Sequence, residues 1–221
     1  MNDVRPTIFP GARTLRGKVI MKRINLCWIP VVVGVALLAS GCSITPMHKE
    51  LKSPAKLAQG NVATAGSATG MPPGKVGWGR ITLFAIPVAP VHVEGDASRE
   101  TMNFVRDALT TAGYTVSTVE AGSRAPGPVL TVGIKQYKFN NYTWLAPLIF
   151  SWGRIELEAT LHGADDRALW TKSYLGKGTS VHITQGFTNS AAKCMTRALD
   201  QMVVDFGTPS FASAIVGMPA N

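Results

Sequence analysis

Catalytic constellations are what this 221-residue chain most plainly lacks. His48, His92, His162 and His182 stand apart, with neither H-x-H nor H-x-x-x-H spacing. Each therefore reads as an ordinary surface or strand residue rather than a metal ligand. Gly176-Lys177-Gly178-Thr179 looks superficially like a phosphate loop, but the upstream glycine of that motif is missing and no helix follows directly, so it reads as a strand end. Glu156 and Glu158 share one strand face, where two carboxylates can in principle divide acid and base roles. With Arg154 and Lys172 as cross-strand neighbours, a solvated charged face is the better reading. A periplasmic hydrolase has only that pair behind it, and no enzyme activity, cofactor or metal is expected.

Acidic residues, cysteines and long apolar runs are also in short supply. The chain has 22 Lys+Arg against 13 Asp+Glu, a formal charge of +9, yet no block of like charges. That argues against a dedicated nucleic-acid surface. The most apolar run, Ile29 to Ala39, is bounded by Arg23 and Ser40 and contains Pro30. A spanning helix needs roughly 20 apolar residues, so this is too short for an uncleaved anchor and suits the core of an export signal.

What is present around that run is specific. Lys22 and Arg23 give a positive start after Met21, and the run ends in Leu37-Leu38-Ala39-Ser40-Gly41-Cys42. This resembles the lipobox of bacterial lipoprotein signal peptides, apart from Ala39 standing where Leu is usual, three residues before the cysteine. The resemblance implies cleavage before Cys42, diacylglycerol on its sulfur and an acyl group on the new amine. Residues 1–41 are expected to be the signal-peptide region, with Met21, just before Lys22 and Arg23, as the expected start of translation. Multiple chains at ~0.8 kcal/mol per buried CH₂ give stable attachment. Ser43, where an Asp would imply inner-membrane retention, implies the outer membrane with the domain facing the periplasm. Removing residues 1–41 leaves 16 Lys+Arg and 12 Asp+Glu, a net charge of +4. Cys194 then remains without a disulfide partner and, among Ala191, Ala192, Met195 and Ala198, reads as a small buried thiol.

Residues 42–77 are rich in Ala, Gly, Ser, Thr, Pro and Lys, a composition expected to form a lipidated flexible tether. A single domain is expected over 78–208. Its first strand runs Gly79 to Ile86, ended by Pro87 and Pro90. A helix follows, capped by Asp96 or Ser98, with Glu100 in its first turn and a stop at Gly113. Tyr114, Val116 and Val119 mark a short strand, and 122–128 a loop. Val129 to Phe139, Gly153 to His162 and Ala168 to Lys177 alternate as half-exposed antiparallel strands, the last two joined in a hairpin. A closing helix runs from about Asn189 to Phe206, with Ala191, Met195, Ala198, Leu199, Met202, Val203 and Phe206 on one stripe. Residues 209–221 read as a loose tail. The fold class expected is α+β: a mainly antiparallel sheet of four to five strands with two helices packed on one face.

The order of these elements, with Ala112-Gly113-Tyr114-Thr115-Val116, Trp152-Gly153-Arg154-Ile155-Glu156-Leu157, Leu169-Trp170 and Gly176-Lys177-Gly178, resembles the small YajG-like outer-membrane lipoproteins. It is also similar in layout to accessory lipoproteins of lipopolysaccharide assembly and lipid-transport ABC systems. The resemblance implies a non-catalytic accessory or scaffold in an outer-membrane assembly or transport complex, and it assigns no functional residue. The alternative is a periplasmic lipid-binding module that holds an acyl chain between sheet and helices.

One stretch stands out as a candidate site. Tyr142 to Trp152 carries no charge, and an apolar connection must be either buried or an interaction surface. Trp144, Leu148, Ile149, Phe150 and Trp152 are the candidate partner-binding residues, for an envelope protein or a membrane, with the two tryptophans as anchors. Cys42 is the candidate lipidation site.

Overall fold

The computed structural model describes residues 42–54, 58–70, 75–81, 86–120, 127–143, 148–182 and 186–216. Residues 1–41, expected to be a signal peptide, Trp144 and most of the expected 122–128 loop lie outside them. Among the described residues there are eight strands: β1 (Cys42–Ile44), β2 (Asn61–Ala65), β3 (Lys75–Ile81), β4 (Ile86–Val93), β5 (Thr115–Val119), β6 (Val129–Thr143), β7 (Ile149–His162) and β8 (Ala168–His182). The described residues also form three helices, α1 (Ala97–Ala112), α2 (Gly186–Phe206) and α3 (Pro209–Ile215).

All eight strands join one sheet built around β6. One edge of β6 takes β7 and then β8, both antiparallel. Its other edge is shared by two parallel neighbours, β2 near its start and β3 near its end. Outside β2 lies β5, parallel; outside β3 lies β4, antiparallel, and then β1, parallel to β4. Four of these seven strand pairings are parallel. The expectation of a mainly antiparallel sheet of four to five strands with two helices is therefore overturned. What overturns it is strand material in the low-complexity stretch, which pairs across long sequence separations.

That stretch is not simply a tether. Ile44, Val62, Ala68 and Val76 are all buried in the core. β2 is held by ladder bonds on both sides and by Arg106 of α1, which donates to Thr64 Oγ1 at 3.0 Å and to the Ala65 carbonyl at 2.8 Å. Next, the strand expected over Gly79 to Ile86 is two strands, with Ile81 opposite Ile86. The expected loose tail is also corrected. Thr208 caps α3, and Phe211 is fully buried against Phe206 and Trp170, with ring centroids 4.7 and 4.9 Å away.

Other elements form for the reasons their residues suggest. Asp96 caps α1 by accepting from the Arg99 amide, and Gly113 ends it at φ 106°, a left-handed conformation that suits glycine. In β6 the inward set begins as Leu130, Val132 and Ile134, then shifts at an irregularity beside Lys135 to Tyr137, Phe139 and Asn141. Such a bulge re-aims every later side chain. α2 covers the inner face of β7 and β8 with Ala191, Cys194, Met195, Ala198, Leu199, Met202, Val203 and Phe206, all buried. Each large apolar side chain buried this way contributes roughly 1.5–3 kcal/mol.

Candidate functional site

The apolar stretch singled out in the sequence lies at one end of the β6–β7–β8 face that α2 does not cover. Leu148 is 46% exposed, Phe150 41% and Trp152 42%, whereas Ile149 is half-buried and Ser151 buried. Alternation along β7 accounts for this: even-numbered residues point outward, and Ile155, Leu157, Ala159 and Leu161 point into the core. Register extends the patch to residues the sequence reading missed. Phe150 pairs with Val181, itself 54% exposed, and with Tyr142. Trp152 pairs with Thr179 and Asn140.

The next outward row is cationic: Arg154 lies between Lys138 and Lys177. A groove of about 350 Å³ runs between the Trp152 row and this one. Only the strand register could have shown that these three cations meet, since they are 16 to 39 positions apart in the chain.

The outer edge of β8 is closed by side chains of α2. Lys193 donates to the Thr179 carbonyl at 3.0 Å, Gln201 to the Leu175 carbonyl at 3.1 Å, and Arg197 to the Lys177 carbonyl between them. Four residues of helix rise about 6 Å and two residues of strand about 6.8 Å, so the two repeats match. Strand addition at this edge is thereby blocked.

Cys42 opens β1, and its Cα pairs with Val91. Thr45 donates to Glu94 at 3.1 Å, and the Glu94 amide donates to the Ile44 carbonyl at 2.9 Å. The Ser43 and Thr45 hydroxyls hold the Glu94 carboxyl below the usual carboxylate range. Cys42 thus enters the sheet directly.

Glu156 and Glu158 each face a cation of their own. Glu156 binds Arg154 at 3.1 Å, Glu158 binds Lys135 at 2.7 Å, and Lys172 binds Asp205 of α2 at 2.7 Å instead. Of the histidines, His48 meets Asp107 at 3.1 Å and His162 meets Thr131 at 3.1 Å. His92 is exposed, and the side chain of His182 lies outside the described residues. Among the described residues no group of three or more His, Cys, Asp or Glu is placed to hold a metal, and no helix is long and apolar enough to cross a membrane. Cys194 is fully buried, and burial pushes its thiol up to about 12. A larger cleft of about 670 Å³ lies at the opposite end of the sheet, beside His162 and Asp166. Its lining includes Val119, Glu120 and Val129, and it is far from the apolar tip.

No family model and no curated protein matches the chain. Solved structures are similar to it at low levels. A DUF330-family protein from Xanthomonas campestris has 13% identity and a TM-score of 0.46, over 75% of this chain and 92% of that one. A minor lipoprotein from Acinetobacter baumannii has 7% identity and a TM-score of 0.27, over 68% and 99%. An uncharacterized protein has 10% identity and a TM-score of 0.35, over 75% and 97%. A bacterial lipoprotein is thus among the neighbours, at a similarity too low to carry an argument. The YajG-like resemblance is not confirmed by a family match.

Proposed function

We propose that this chain is a non-catalytic, lipid-anchored envelope protein, an accessory or scaffold for an outer-membrane assembly or transport complex, facing the periplasm. The observation that carries this reading is the position of Cys42. The lipobox ends at the first residue of β1, so acyl chains there hold the folded sheet itself close to the membrane. The exposed Leu148–Phe150–Trp152 tip, with Ile149 beside it, is the docking element for a further envelope component. In support of a non-catalytic role, Glu156 and Glu158 are each neutralised by a separate cation. The lipid-carrier alternative needs room between sheet and helix, and at Gly176 and Gly178 α2 sits directly on β8.

Cys42→Ser tests the anchor. The variant chain should lose metabolic palmitate labelling and leave the detergent-soluble membrane fraction; unchanged labelling would contradict the reading. Leu148→Asp with Ile149→Asp should leave labelling intact and abolish docking.

A further inference from the structure

We infer that the outer face of β6, β7 and β8 seats on an anionic phospholipid bilayer, its apolar tip in the interface and the Lys138–Arg154–Lys177 row against lipid phosphates. This rests on the anchored reading above and names what the docking tip touches.

Three observations converge. First, the face is banded in the order a membrane surface requires. Phe150, Trp152 and Val181 lie at the end, and the cation row comes next. Two residues of strand span about 7 Å, close to the thickness of one headgroup layer. Trp152 therefore sits at the acyl boundary when Arg154 is level with phosphate, the depth at which indole rings and basic side chains collect.

Second, the charge is available. Among the described residues neither Lys138 nor Lys177 is in an ion pair, and Arg154 pairs at 3.1 Å with Glu156 of the next row, so the row keeps two unpaired cations and the third is matched by one carboxylate. Lys193 and Arg197 add two more cations beside the groove, where they cap β8. A protein-binding face of standard kind is poor in lysine at its centre, whereas an anionic bilayer rewards each such cation.

Third, the chain enters from the correct side. β6 ends at the tip, β4 runs antiparallel to β3 and so away from it, and β1 runs with β4. Cys42 is thus at the tip-side end of its strand. It falls in the same ladder row as Val91, Gly77, Phe139, Gly153 and Gly178, one residue from both Trp152 and Arg154 on β7. Anchor and tip address one membrane.

The test uses the acylated protein extracted from cell membranes, with a photo-reactive amino acid at Phe150. It is reconstituted on vesicles of phosphatidylethanolamine and phosphatidylglycerol, or of phosphatidylcholine alone, and on native membranes. Val204, 62% exposed on α2, is the control position. The expected result is lipid adducts at Phe150 on the anionic vesicles, little at Val204, and about tenfold less on phosphatidylcholine or with Lys138→Glu plus Lys177→Glu. Protein that floats with the anionic vesicles while Phe150 stays unlabelled overturns the inference alone. So does labelling that ignores lipid charge, or a discrete protein adduct at Phe150 in native membranes. Protein that does not float at all overturns the anchored reading and this inference with it.

Discussion

Gly176 lies hard against the main chain of α2: a Cβ on it would stand 1.8 Å from the Cys194 carbonyl oxygen. Two residues on, a Cβ at Gly178 would meet the Ser190 carbonyl at 2.7 Å. The Gly-Lys-Gly alternation is thus a packing device. It lets the helix backbone approach the strand while Lys177 points outward.

Gly176→Ala should force α2 off the sheet and cost about 3 kcal/mol, the upper end of typical overpacking. Lys177→Ala should change stability by less than about 0.5 kcal/mol, as for a surface site. Denaturant unfolding of the two variants checks this, and equal losses would show that the helix can shift freely.

The α2 side chains that cap β8 protect an edge as well as adding bonds. Replacing Lys193, Arg197 and Gln201 together by Ala removes three donors from three strand carbonyls. At about 1 kcal/mol each, the stability loss is modest, but the bared edge should now pair with another copy. Light scattering should show concentration-dependent association of the variant and none of the parent.

Arg106 ties β2 into the fold through Thr64, Ala65 and Gly66. Arg106→Met keeps most of the side-chain volume and removes those donors from part-buried acceptors, at a cost of about 1 kcal/mol. Amide exchange of Val62 to Ala65 should accelerate while that of α2 stays slow. Unchanged protection of β2 would mean that its ladder bonds suffice.

Cys194 provides a pH test. Its folded-state thiol is raised to about 12, against about 8.5 in an unfolded chain. The folded form therefore holds its proton where the unfolded form has lost it. The associated stability is full below about pH 8.5 and is lost as pH rises toward 12. Burial raises Tyr137 and Tyr174 as well, reinforcing the same alkaline trend. Cys194→Ala should flatten the first part of the decline in melting temperature above pH 8.5. In the native protein at pH 8, thiol reagents should leave this cysteine unmodified.

The elements legible in the sequence were those whose signals are local. Asp96 and Gly113 bracket α1, period-two alternation marks β6, β7 and β8, and the stripe from Ala191 to Phe206 marks α2. The illegible ones depend on distant partners. Asn-Val-Ala-Thr-Ala reads as linker because its residues are small. It becomes a strand because β5 and β6 supply bonds on both sides and Arg106 locks its end. Context of this kind overrides β propensity. Parallel pairings are especially opaque, since no turn joins the partners. At the candidate site, the apolar residues were visible as an uncharged run, whereas Val181 and the three-cation row emerged only from cross-strand register.

Intact mass spectrometry of the chain extracted from bacterial membranes is the measurement to make. The account predicts a polypeptide beginning at Cys42, with a mass excess matching a diacylglycerol group and one further acyl chain. An unmodified Cys42 on a chain that still carries residues before it would contradict the lipid anchor, and with it the placement of the sheet at the membrane.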